Sequence, residues 1–95
     1  MQPGIIATYT HSDGLTQGKG ACMIRVLAQT DFAARTADFL SFAKKAAQFA
    51  YGANAMVWSD VVAIFPEIEA DRQALAKSLS ETVVVDKIII LRLDL

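Results

Sequence analysis

Cysteine is almost missing from this chain. Cys22 stands alone, so no disulfide can close within it; a reducing cytoplasm is the expected setting, with a disulfide to a second chain left open. Histidine is equally scarce. His11 and one cysteine are too few for a zinc site, so no metal or cofactor is expected, and no Ser-His-Asp arrangement can be assembled. His11 is read as a surface residue at a loop end, and an enzyme is not expected. Charge is low in both signs: 9 Lys and Arg against 10 Asp and Glu leave a net −1. Neither nucleic acid nor an anionic membrane is favoured as a partner on those grounds. No apolar run reaches the length of a membrane span. Met1-Gln2-Pro3-Gly4 lacks a basic n-region, so no signal peptide is expected. Internal repeats and low-complexity segments are absent too.

What the chain has in excess is apolar residues. They make up 54% of the 95 residues, with 20% charged, richer than an average domain. A length of this order suits one small domain, taken as residues 1–95, with an unfavourable surface-to-volume ratio. The simplest account of the excess is apolar surface buried against another chain.

Periodicity divides the chain into five main elements. Ile5 to Thr10 is β-branched and aromatic and reads as a strand. His11 to Gly20 carries Ser12, Asp13, Gly14, Gly18 and Gly20 and reads as a long hairpin loop. Ala21 to Ala28 is the returning strand. Thr36 to Tyr51 has Phe39, Phe42, Ala43, Ala46, Phe49 and Ala50 at three- and four-residue steps, which predicts a long amphipathic helix. Gly52 is placed to end it in a left-handed turn. Ala53 to Ser59 is a connection, Asp60 a cap for a short turn over Val61 to Phe65, and Pro66 a fresh helix start. Ile68, Leu75 and Leu79 share one face of that second helix. Glu81 to Leu93, with Val83-Val84-Val85 and Ile88-Ile89-Ile90-Leu91, is the strongest strand. The order β-β-α-α-β predicts an α+β fold: a three-stranded antiparallel sheet with two main helices on one face.

Alternation splits each strand into two faces. In the second strand Cys22, Ile24, Val26 and Ala28 oppose Met23, Arg25 and Leu27; in the last, Ile89, Leu91 and Leu93 oppose Ile88, Ile90 and Arg92. Taken together, Met23, Arg25, Leu27, Ile88, Ile90 and Arg92 make a mixed face of apolar residues and arginines. That composition suits an interface, and a homodimer through this open sheet face is expected.

Three other groups of residues invite chemistry and have plainer readings. Gly18-Lys19-Gly20 is not a phosphate loop, because Asp13 stands where the motif needs Gly and Gly20 replaces the Ser or Thr; it reads as a turn. Glu67, Glu69 and Asp71 read as a solvated helix start, suited to the positive end of the helix dipole. Met56 and Trp58 read as a plug over the core.

The remaining stretch, Gln29-Thr30-Asp31-Phe32-Ala33-Ala34-Arg35, lies where a period of two gives way to 3.6. Thr30 and Asp31 are both good N-cap residues. Phe32 is either a core anchor or an aromatic presented at a helix start. With Phe39 following, the stretch resembles the Thr-Asp-Phe signature of bacterial elongation factor Ts, which ejects GDP from elongation factor Tu. The flanks agree in order and spacing: Tyr9 and His11 at a strand end, Gly18 and Gly20 in a turn, the strand Met23 to Ala28, and Ala43, Ala46, Ala47 and Ala50 in the helix. An Arg-bearing second helix and the closing Glu81-Thr82-Val83 to Leu93 strand complete it. The likeness runs from about Gly4 to Leu93.

The resemblance implies one core unit of that family, without its N-terminal helical module. It implies contact with elongation factor Tu through Thr30, Asp31, Phe32 and Arg35. The phenylalanine would wedge between helices of the partner's nucleotide domain, and the aspartate would disturb the partner's contacts to the magnesium and phosphates of GDP. Some relatives carry the unit once and pair two chains through the sheet, which agrees with the expected homodimer. Two alternatives stand beside exchange: a module that binds elongation factor Tu without efficient exchange, and a structural dimerisation domain.

Overall fold

The computed structural model describes residues 2–12 and 18–93. Strands β1 (Gly4–His11) and β2 (Gly20–Leu27) are followed by a single helical turn α1 (Asp31–Ala34), helices α2 (Ala37–Ala53), α3 (Trp58–Ile64) and α4 (Pro66–Leu79), and strand β3 (Val84–Arg92). The sheet order is β1-β2-β3 and both pairings are antiparallel. The fold is the expected α+β arrangement, with β2 central and the helices on one face. The hairpin loop expected over His11 to Gly20 falls in part on residues 13–17, outside the described residues.

Helix α2 forms the middle of the core. Phe39, Ala43, Ala46, Ala47 and Ala50 are fully buried, and Phe42 and Tyr51 nearly so. Four alanines in this stripe let the helix backbone lie close over β1 and β2. The volume is then supplied from the sheet by Ile24 and Val26 and from the other helices by Val61 and Ile68, all essentially inaccessible. Cys22 is sealed in the same layer, and burial pushes its thiol up to about 11. It is therefore neither accessible nor ionised for a disulfide to another chain.

Helix boundaries depart from the sequence reading in two places. Gly52 does not end α2; the helix continues to Ala53, and Asn54 takes the left-handed conformation at φ 51°. Asparagine tolerates that region through its short polar side chain. Asp60 does not cap α3. The chain is already helical at Trp58, because the N–H groups of Asp60 and Val61 both donate to the Val57 carbonyl. Trp58 is fixed from elsewhere: its Nε1 donates to Glu69 Oε1 at 3.0 Å and its ring meets Phe42 edge-on at 6.2 Å. Pro66 does open α4, as its missing N–H allows.

The last strand corrects the predicted sheet faces. Arg25 pairs with Lys87 and Val26 with Val85, so Asp86 is an extra residue, a β-bulge. One extra residue reverses the inside–outside phase of everything beyond it. Val83 is buried before the bulge; after it Ile88 is buried and Ile90 and Arg92 are half-buried, on the helix-covered side with Cys22 and Ile24. Ile88, Ile90 and Arg92 are thus not part of the open face. Arg92 instead lies 4.2 Å from the Tyr51 ring centroid and donates to the Tyr51 carbonyl at 3.1 Å. The open face carries Met23 and Arg25 as expected, Leu27 half-buried, and in β3 Ile89 and Leu91, which are 52% and 77% exposed. Arg25 there donates Nε to Asp86 Oδ2 at 2.6 Å.

Candidate partner-binding corner

The chain leaves β2 at Leu27 and must reach α2 at Ala37, and the turn between them is built from caps. Thr30 is extended, and its Oγ1 accepts from the Ala33 N–H at 3.1 Å, which caps α1. Thr36 repeats the device: its Oγ1 accepts from the Phe39 N–H at 3.2 Å and donates to the Ala33 carbonyl at 2.9 Å. One hydroxyl thereby starts α2 and closes α1. Each cap of this kind contributes about 1 kcal/mol.

Four residues of helix do not stand alone, since nucleation costs more than one turn returns. Ala33 and Ala34 are buried and seat α1 on the core. The end of β2 is held from β1, where the Pro3 carbonyl accepts from the Ala28 N–H at 3.0 Å and Gln2 Nε2 donates to the Ala28 carbonyl at 3.1 Å. A third hold comes from the connection between α4 and β3. Glu81 Oε1 accepts from the N–H groups of Gln29 at 2.9 Å and Thr30 at 3.1 Å, and Oε2 accepts from the Thr30 hydroxyl at 2.6 Å. Gln29 Oε1 returns the contact by accepting from the Thr82 N–H at 2.8 Å. The Thr30 hydroxyl and those two amides hold the Glu81 carboxyl below the usual carboxylate range.

What this framework presents is an aromatic in water. Phe32 is 81% exposed, the most exposed of the large hydrophobic side chains among the described residues. Asp31 and Arg35 are exposed on either side of it, and Thr30 is exposed at the cap. The two readings left open for Phe32 therefore resolve: it is presented, not buried. All four residues named for this corner lie together on α1 and its caps. In the sequence Glu81 reads only as the start of a strand; it lies before β3, whose first residue is Val84. No local pattern could have found it, because it is 51 residues from Thr30.

The other candidates sit elsewhere. His11 is half-buried at the end of β1, not a free surface residue: Nδ1 lies 3.1 Å from Tyr9 Oη and the ring stacks on Tyr51 at 5.1 Å. The carboxylates of α4 turn to different partners, Glu69 to Arg72 and Asp71 to Lys45, each at 2.6 Å. Met56 is 60% exposed, whereas Trp58 covers the core edge. No described helix is long and apolar enough to cross a membrane.

No protein-family model matches the chain. It is 30% identical over 92 residues to elongation factor Ts of Teredinibacter turnerae, a match covering 96% of this chain and 29% of that protein. It is 50% identical over 44 residues to elongation factor Ts of Corynebacterium urealyticum, covering 46% of this chain and 16% of that one. The chain is elongation factor Ts-like. It spans less than a third of the length of the Teredinibacter turnerae factor, as the 29% coverage shows.

Proposed function

We propose that this protein binds elongation factor Tu and promotes release of its GDP, with Asp31 and Phe32 as the contacting pair and Thr30 and Arg35 at its edges. The observation that carries the reading is Phe32: a large aromatic, 81% exposed, on a helical turn fixed by two caps and a carboxylate. Exposing it gains nothing for this fold, whereas inserting it into a partner removes apolar area from water at about 25 cal/mol per Å². The likeness to two proteins called elongation factor Ts supports a role in translation elongation.

Exchange of this kind breaks no covalent bond and calls for no cofactor or enzymatic residue. The factor need only bind the nucleotide-free partner more tightly than the GDP form; by linkage it then weakens GDP by the same factor. A wedge and a carboxylate suit that task. The wedge holds open a conformation that GDP disfavours, and the carboxylate competes with phosphate for magnesium and for donors. The open sheet face, with Ile6, Met23, Ile89 and Leu91 exposed around the Arg25–Asp86 pair, is proposed to pair two copies. Both an apolar centre and a residue of each charge are then available to a self-complementary interface.

Titration calorimetry against nucleotide-free and GDP-loaded elongation factor Tu tests the reading. Affinity at least about 10-fold higher for the nucleotide-free form is expected, a coupling of about 1.4 kcal/mol. Equal affinity for the two forms would show a binder that cannot drive exchange, and no binding to either would end the proposal.

A further inference from the structure

We infer that Glu81 is a positioning residue of the corner: its carboxylate, reaching across from the α4–β3 connection, holds Gln29 and Thr30 so that Asp31 and Phe32 meet the partner in one pose. The inference rests on the proposed function and deepens it.

Helix α1 cannot fix its own orientation. It is a single turn of four residues, and its two buried side chains are alanines. Alanine methyls seat a helix but resist its rotation and sliding only weakly, since they interlock with little. Phe32 and Asp31 point into water and anchor nothing. The orientation of the pair must therefore come from the polar contacts at the two ends of the turn. Two of those partners, Thr30 and Thr36, belong to the same local stretch and move with it. Glu81 belongs to a different part of the fold, joined to the α4–β3 connection whose next buried residue is Val83.

The carboxylate also sets the cap itself. The Thr30 hydroxyl proton is committed to Glu81 Oε2 at 2.6 Å, which leaves the Thr30 oxygen lone pairs turned to the Ala33 N–H at 3.1 Å. With both backbone amides on Oε1 at 2.9 and 3.1 Å, the side chain fixes the position of residues 29 and 30 and the rotamer of the capping oxygen at once. Charged acceptors make the stronger hydrogen bonds of this kind. The reciprocal bond from Thr82 N–H to Gln29 makes the junction two-sided, so it resists sliding in either direction.

The test has one arm without the partner and one with it. In the free protein, Glu81→Ala is expected to speed amide exchange at Ala33 and Ala34 about 10-fold, while Glu81→Gln, which keeps an acceptor for both amides, recovers most of the protection. With elongation factor Tu, Glu81→Ala is expected to weaken binding about 5- to 20-fold, and Glu81→Gln, which keeps an acceptor for the two amides but not a second one for the Thr30 hydroxyl, to recover part of that loss. In a double-mutant cycle the Glu81→Ala loss should nearly vanish in the Phe32→Ala background, because a residue acting through Phe32 has nothing left to position. Urea midpoints of all variants confirm that each is folded at the assay temperature. Full Glu81→Ala loss in both backgrounds, or none in either, would overturn the positioning role while a normal Phe32→Ala effect leaves the partner reading intact. Absence of any Phe32→Ala effect would instead overturn the partner reading and with it the role assigned to Glu81.

Discussion

Replacing Phe32 with alanine should cost the fold almost nothing and cost the complex a great deal, and Phe39 supplies the contrast. Complete burial of a phenylalanine is worth roughly 1.5–3 kcal/mol. Phe32 keeps 81% of its surface in water, so the folded chain recovers only about 0.5 kcal/mol or less of that. Alanine's better helix propensity, worth about 0.5 kcal/mol, offsets even this. Phe39 is 0% exposed, and its removal leaves a cavity costing about 3–5 kcal/mol. Domains of this size are stable by roughly 5–10 kcal/mol, so Phe39→Ala removes a large share of the total. In urea, with a slope of about 1 kcal/mol per M, Phe32→Ala should shift the midpoint by under about 0.5 M and Phe39→Ala by about 3 M or more. Against elongation factor Tu the order reverses: losing the wedge should raise Kd about 10- to 100-fold. Equal destabilisation by the two substitutions would refute the claim that Phe32 stands outside the core. A neutral Phe32→Ala in both assays would refute its role as a contact.

Gly20→Ala should destabilise by about 1–3 kcal/mol in a urea or thermal melt, because a β-carbon there falls 2.8 Å from Tyr51 Cε2, and that ring is enclosed by Tyr9, His11 and Arg92; a neutral result would mean that the ring can move aside. Glu69 is held at about 2, below its ordinary 4.5, chiefly by the hydrogen bonds from Arg72. Its folded value lies below its unfolded one, so its contribution is complete above about pH 4.5 and is lost as pH falls toward about 2. That drop bounds the effect at about 3 kcal/mol, and partial solvent exposure reduces it to about 1–2; Glu69→Gln should be less stable by that amount at pH 7 and converge with the parent near pH 2, and parallel pH curves would contradict the assignment. Light scattering should give twice the 10.3 kDa chain mass at tens of micromolar, and Leu91→Asp should return it to one; a parent protein that stays monomeric would remove the sheet-face dimer.

The fold was legible because its elements obey simple periods. Five strands and helices of ordinary length, one proline at a helix start and an alanine stripe in α2 all state their structure locally. The strand face was not legible. Val84-Val85-Asp86-Lys87-Ile88 carries no glycine or proline to announce a bulge, and only pairing with Arg25 and Val26 shows that Asp86 is the extra residue. Every face assigned beyond it inverted, which moved Ile88, Ile90 and Arg92 from the open side to the covered one. The corner was half legible. Thr30, Asp31 and Phe32 declare a capped helix start, but an isolated phenylalanine reads equally well as core, and only the geometry turned it outward. Glu81 was invisible for another reason: its role depends on two distant segments arriving side by side.

The most direct measurement is stopped-flow release of a fluorescent GDP analogue from elongation factor Tu, with the protein titrated in and an Asp31→Ala, Phe32→Ala double variant run in parallel. Release should accelerate with concentration, by at least about 10-fold at saturation, and the double variant should lose that acceleration. Release unchanged by the parent protein, or accelerated equally by the variant, would contradict the claim that this corner drives nucleotide exchange.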